Sequence, residues 1–368
     1  MRERMLEALL FFLERSSVIG NEEPLCDDLE ARVGGLPGWR AERVANNLIV
    51  SRTSPDVSRE RLVLAGHLDT VPEPEGGIPV RVEGDLVYGR GASDMKAGDA
   101  VMLALLEGFD WGSSWAEPVF VFYEHEEGPY AENGLEVVFE ECPWVTDAEL
   151  AIILEPTENA LEAGCIGTAQ IEVTFRGSPS HSARPWQGEN ALTAAGAFLA
   201  ALHERPAEEV AVDGLPFYEV VVPTMARGGS AKNVVPDEFW INVNHRFAPG
   251  RDIEHVRAVF EDLLKGSNAS FEVVDFAPSG SADLGHPLLQ DFVAGNDGLP
   301  ALDVRPKQAW TDVARFGREG VAAANFGPGS PSQAHQRAEH VKLPLLVEGY
   351  ERLASYLAYT PPSGSETG

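Results

Sequence analysis

The segment RLVLAGHLDT, residues 61–70, decides the architecture: an apolar run rich in Leu and Val that breaks off in His67 and Asp69. A run without polar alternation fits a strand buried on both faces, as in parallel sheets covered by helices. Two further runs repeat the design. AEPVFVFYEHEE (116–127) ends in Glu126 and Glu127, and AELAIILEPT (148–157) ends near Glu155. Between the first two, MKAGDAVMLALLEGF (95–109) has helical periodicity, and GVAAANFGPG (320–329) reads as another buried strand with His335 just beyond it. Strands alternating with helices predict an α/β fold with a mainly parallel sheet.

From about residue 166 the pattern changes. AQIEVTFRG (169–177) alternates apolar and polar residues, the pattern of a half-exposed antiparallel strand. Helix-like ENALTAAGAFLAALHE (189–204) and IEHVRAVFEDLLKG (253–266) are interleaved with strand-like segments at 218–229, 239–247 and 270–277. The expected layout is an α/β domain split over 1–165 and 282–360, an inserted α+β unit over 166–281, and a disordered tail over 361–368. The N-terminal stretch MRERMLEALLFFLERSSVIG (1–20) reads as an amphipathic helix, not a signal peptide.

The 368 residues are 44% hydrophobic and 23% charged, a globular composition. Lys plus Arg number 28 against 58 Asp plus Glu, giving a net charge of -30. Such a surface repels phosphate backbones and anionic lipid, so neither nucleic acid nor a membrane is an expected partner. A small anionic substrate remains compatible, because a local cationic pocket acts within a Debye length of about 8 Å. Cys26, Cys142 and Cys165 are scattered with no CxxC pair, which fits a reducing, cytoplasmic setting.

Metal-capable side chains fall where the apolar runs stop. They are His67, Asp69, Glu126, Glu127, Glu155 and His335, with Asp94 in the glycine-rich GRGASDMKAG (89–98). In open α/β sheets, ligands gather at the carboxyl ends of the strands. Two imidazoles and three carboxylates suit a pair of zinc ions, one carboxylate bridging. Glu126 is then spare, suited to move a proton. Adjacent strand residues face opposite ways, so Glu126 and Glu127 can serve one site only from an irregular strand end. His125 and His245 read as ordinary structural histidines, Cys165 as a packed residue, and Trp310 and Phe316 as pocket wall or core. The GxGxxG pattern is broken around Gly89-Arg90-Gly91, and no G-x-S-x-G elbow appears.

These motifs together resemble the co-catalytic zinc aminoacylase and carboxypeptidase superfamily, and within it the branch that removes succinyl groups from diaminopimelate. The resemblance runs from GHLDTVP to the C-terminal helix. It includes GRGASDMKAGDA, VFYEHEEGPYAENGL, LEPT, LEAGCIGT, RGSPSHSARPW, KNVVPD, NHRFAP, AWTDVARF and NFGPGSPSQAH. It implies two Zn²⁺ per subunit (Co²⁺ or Mn²⁺ as substitutes): one on His67 and Glu155, the other on Glu127 and His335, with Asp94 bridging. It further implies that Asp69 orients the His67 ring and that Glu126 is the general acid/base. The inserted unit would form a homodimer and serve as a lid, and His181 would reach the partner's site to hold the oxyanion. Asn233 matches a substrate-contacting position of the inserted unit. An anionic N-acyl amino acid wants Arg or Lys donors, for which Arg184 and Arg246 are the candidates and Lys307 and Arg315 further ones; Thr311 completes the expected substrate-binding set. A cis peptide is implied at Asp94-Met95. The implied reaction is hydrolysis of N-succinyl-LL-2,6-diaminopimelate. Cys165 and Ile166 depart from the pattern, since some desuccinylases carry an arginine there. N-acetylornithine, another N-acyl amino acid or a dipeptide is the alternative substrate, and a non-catalytic dimeric binding protein the alternative of another class.

Overall fold

The computed structural model describes residues 1–75, 77–295 and 298–358. The tail expected over 361–368 lies outside them. Two helices, α1 (Arg2–Leu13) and α2 (Glu23–Gly34), precede a hairpin of β1 (Trp39–Val44) and β2 (Asn47–Arg52). Then come β3 (Glu60–His67), β4 (Arg81–Glu83), β5 (Leu86–Tyr88), α3 (Lys96–Gly108), β6 (Ala116–Tyr123), α4 (Gly134–Glu141), β7 (Leu150–Ile153) and β8 (Leu161–Ala163). The middle of the chain supplies β9 (Gly167–Arg176), β10 (Ser180–His181), α5 (Ala191–Ala194), α6 (Gly196–Glu204), β11 (Glu208–Val212) and β12 (Leu215–Gly228). It continues with β13 (Val234–Val235), β14 (Glu238–Phe247), α7 (Ile253–Leu263) and β15 (Ala269–Ala277). The last part carries α8 (Pro287–Ala294), β16 (Val304–Pro306), α9 (Val313–Arg318), β17 (Ala322–Asn325), β18 (His340–Lys342) and α10 (Leu343–Ala358).

These elements form two compact units. Among the described residues, the first holds Met1–Gly164, Ser281–Pro306 and Thr311–Ala358; the second holds Cys165–Gly280 and Lys307–Trp310. Lys307–Trp310, expected in the split domain, groups with the inserted unit for a local reason. Ile166 N donates to Lys307 O, and Trp310 Nε1 donates to Pro278 O.

The first unit is built on an eight-stranded sheet in the order β1-β2-β6-β3-β7-β17-β8-β16. Its centre, β6-β3-β7-β17, is parallel throughout, with Leu64 facing Phe120 on one side and Ile152 on the other. These central strands are the continuous Val/Ile/Leu runs of the sequence, and β6 is buried along its whole length. The β1-β2 hairpin adds an antiparallel edge that the sequence reading did not anticipate. Helix α3 packs against β3 and is buried all round over Lys96–Leu106, and apart from Lys96 and Asp99 that stretch is built of Gly, Ala, Val, Met and Leu. Each fully buried Leu there contributes roughly 1.5–3 kcal/mol.

The inserted unit is an antiparallel sheet in the order β11-β12-β14-β9-β15. β9 alternates buried and half-buried residues along its length. Its inner face (Ile171, Val173, Phe175, Ile241, Val243) packs on Phe198 of α6 and on Val256 and Phe260 of α7. Among the described residues no helix is long and apolar enough to cross a membrane.

Candidate active site

The site stands at the carboxyl ends of β3, β6, β7 and β17 in the first unit. His67 is the last residue of β3, and its backbone N–H donates to Met95 Sδ. Asp94 precedes α3, and the Asp94–Met95 peptide is cis. Glu155 follows β7, and His335 lies in the loop after β17.

The Asp94 carboxylate spans the two histidines. Its Oδ1 is 3.3 Å from His67 Nε2 and its Oδ2 is 3.7 Å from His335 Nε2. On the His67 side, Glu155 Oε1 stands 3.8 Å from Nε2 and Glu126 Oε2 stands 4.0 Å away. On the other side, Glu127 Oε1 lies 2.9 Å from His335 Nε2. The distances thus set Glu155 beside His67 and Glu127 beside His335, with the Asp94 carboxylate between the two histidines.

Glu126 and Glu127 do reach one site, because the strand stops first. β6 ends at Tyr123, and His125 turns the chain in the left-handed region at φ 61°. Asp69 holds the resulting turn: its Oδ1 accepts from Glu126 N at 3.0 Å and its Oδ2 from Glu127 N at 2.9 Å. The Asp69 carboxylate was expected to orient the His67 ring. Its Oδ1 is 3.6 Å from Nδ1, whereas the backbone carbonyl of Asp69 itself stands 3.0 Å from that nitrogen. The backbone carbonyl of Asp69 is thus the nearer partner of the ring, its carboxylate stands at ion-pair distance, and that carboxylate also holds the two glutamates.

The donor set fits divalent cations. His67 Nε2 is fully buried with no hydrogen-bond partner, although three carboxylates surround it. One donor atom from each of His67, Asp94 and Glu127 lies within 4.8 Å of the others. Burial opposes charge on the His67 ring, yet Asp94, Asp69 and Glu126 outweigh it and lift its pKa well above the usual value. Burial likewise pushes the Glu126 carboxyl well above the ordinary glutamate range, with His67 opposing. This excess of negative potential around buried imidazole is what a dication neutralises.

Sequence reading missed the residue that shapes the Asp94 loop. Glu339, 1% exposed, accepts from the backbone N–H groups of Gly91, Ser93 and Asp94 and pairs with Arg90 at 2.8 Å. Ser93 and Ser330 are joined by two further bonds, Ser330 N donating to Ser93 Oγ and Ser93 Oγ to Ser330 O. Glycines close the gap: a Cβ on Gly329 would stand 2.0 Å from Ser93 O, and one on Gly327 2.3 Å from Leu154 O.

The other expected residues divide. Thr311 is buried in the first unit. Arg315 is not available to a substrate: fully buried, it is paired with Asp312 at 2.8 Å and with Glu136, and donates to Tyr130 O. His181, Asn233, Arg184 and Arg246 belong to the inserted unit. There β10 pairs with β13, and Ser182 N donates to Asn233 O, so His181 and Asn233 share one two-stranded ribbon. His181 Nδ1 accepts from Ala183 N at 3.1 Å, which puts the proton of the neutral ring on Nε2. Arg184 is exposed, and Arg246 Nε donates to Asn244 Oδ1.

The model of peptidase family M20/M25/M40 matches residues 63–359. The succinyl-diaminopimelate desuccinylase of Corynebacterium glutamicum is 36% identical over 347 residues, 92% of each chain. A Mycobacterium tuberculosis protein designated DapE is 37% identical over 341 residues, 91% of this chain and 93% of its own. Among solved structures, the aminopeptidase PepT of Bacillus cereus superposes with a TM-score of 0.78 at 18% identity, covering 97% and 98% of the two chains. YXEP of Bacillus subtilis, described as a dinuclear metal-binding peptidase of the M20 family, superposes with a TM-score of 0.69 at 15% identity over 97% of both.

Proposed function

This chain belongs to peptidase family M20/M25/M40, and from that premise we propose that it cleaves the succinyl amide of N-succinyl-LL-2,6-diaminopimelate, releasing succinate and LL-2,6-diaminopimelate. The observation that carries the reading is the Asp94 carboxylate spanning His67 and His335, with Glu126 at its edge. The desuccinylase relative supplies the substrate class, and the dinuclear relative supports a pair of ions. His67, Glu155 and Asp94 would hold one ion and His335, Glu127 and Asp94 the other. Zinc is our assignment, from imidazole and carboxylate donors, with Co²⁺ or Mn²⁺ as substitutes. Bound there, the ions supply Lewis acidity that activates water and polarises the amide carbonyl.

The chain's own residues do the rest. Glu126 takes the proton of the attacking water on a carboxylate oxygen and returns it to the leaving amide nitrogen. Its buried setting raises its affinity for that proton. Asp69 keeps Glu126 in register with Glu127 through the two backbone bonds. We assign His181 the role of oxyanion donor through Nε2–H in the partner protomer's reaction centre. Asn233, Arg184, Arg246 and Thr311 we assign to substrate binding, the arginines meeting substrate carboxylates.

A homodimer through the inserted unit is supported by an open sheet edge. β11 covers only Leu215–Glu219 of β12, and the remainder of that strand exposes Val222 and Met225. A cytoplasmic enzyme is supported by three buried cysteines scattered along the chain with no CxxC pair.

The test is turnover over a panel of N-acyl amino acids including N-succinyl-diaminopimelate and N-acetylornithine. The expected result is the highest kcat/KM for the succinyl substrate, abolished by chelator. Glu126→Gln should lower kcat by about 10²- to 10⁴-fold while metal content stays at the wild-type level. No metal-dependent cleavage of any member would overturn the reading.

A further inference from the structure

Within the inserted unit, three side chains from separate elements converge: Glu219 on β12, His245 on β14 and His255 in the first turn of α7. One donor atom of each lies within 4.8 Å of the other two. His245 is 1% exposed, and its Nδ1 is buried without a hydrogen-bond partner. His255 Nε2 is likewise buried and unpartnered, although 28% of its side chain meets solvent. Glu219 is committed on one side only. Its Oε1 accepts from Ala248 N at 3.0 Å and Arg251 Nε at 3.1 Å, while Oε2 faces His255 Nε2 at 3.7 Å.

Buried ring nitrogens without a partner are destabilising, and a cation held between the two rings would relieve that. Burial also lowers the His245 pKa to about 4, against the pull of Glu219, so the ring is neutral and its lone pair available near pH 7. Two imidazoles and one carboxylate form a borderline-soft donor set, suited to zinc, cobalt or nickel rather than calcium or magnesium. Ligands of one tetrahedral zinc stand roughly 3.3 Å apart at bond lengths of about 2.0 Å. The partly exposed His255 ring is the group with room to close that distance.

We propose that Glu219, His245 and His255 bind a divalent transition-metal ion of the zinc class, tying α7 to strands β12 and β14 of the inserted sheet. The site is separate in sequence from the centre around Asp94 and needs none of its residues.

The test compares wild type with His255→Gln, a substitution at the most exposed of the three positions. Both proteins are stripped with chelator, reloaded with excess Zn²⁺, freed of unbound metal and assayed for zinc per chain. The expected result is one zinc fewer per chain in His255→Gln, a smaller zinc-induced rise in melting temperature, and unchanged amide turnover. Equal zinc in the two proteins overturns the proposal, whatever the centre around Asp94 holds. Anomalous diffraction at the zinc edge from wild-type crystals reads the site without any variant. A peak among the three side chains supports it, and a flat map there overturns it.

Discussion

At the scale of single residues, the side chain of Asp69 is placed where a small change should have a large effect. Both of its oxygens are used on consecutive backbone N–H groups. Asp69→Asn turns one acceptor into a donor facing a donor, so the turn loses a bond and both glutamates shift together. The expected outcome is a fall of about 10- to 100-fold in kcat together with a comparable weakening of metal affinity. Steady-state kinetics and metal titration check this; wild-type values in both would mean the turn holds itself. Residues of this kind divide in how visible they are beforehand. His67, Glu126, Glu127 and Glu155 are legible because a polar group that ends a Leu/Val run is out of keeping with its neighbours. Glu339 is not: its partners are backbone N–H groups about 250 positions away, and in a chain with 58 acidic residues its own type carries no signal. Arg315 misleads for the complementary reason, since a lone arginine beside a motif looks the same whether it faces a ligand or a buried aspartate.

At the scale of elements, the loops that carry Asp94 and His335 behave as one piece, closed by Glu339, the Ser93–Ser330 pair and the tight contact at Gly329. Gly329→Ala would drive a methyl group into the Ser93 carbonyl, which is backbone and has no rotamer to escape into. Overpacking of this sort costs about 1–3 kcal/mol. The expected signature is weaker metal binding and lower turnover, measured by titration and kinetics. Gly35→Ala, which meets open space at φ -86°, should change neither. The parallel core of the sheet was readable because its strands are uninterrupted apolar runs. The β1-β2 hairpin was not, since it turns at Ala45 with φ 52° and offers no glycine pair to mark it. The short strands β4, β5 and β18 escape for want of length, three residues being too few to show a period.

At the scale of the whole molecule, a net charge of -30 makes any self-association depend on local apolar surface, because the rest of the exterior repels a second copy. Val222 and Met225 on the open part of β12 provide such surface. Placing lysine at both positions should convert a dimer to a monomer on sedimentation, and an unchanged mass would move the interface elsewhere. The ordering of the chain also bears on how the protein comes into being. Glu339 and Ser330 clasp a loop centred on Ser93, so two segments separated by most of the polypeptide must both exist before that loop takes its shape. On a ribosome, the early strands are free to fold long before the last stretch emerges. A nascent chain halted short of residue 339 therefore carries His67 and Asp94 without the frame that aligns them. Ion capture is therefore expected in the closing moments of synthesis rather than at its start, and a chain arrested before residue 339 should hold less metal than the released protein on metal assay.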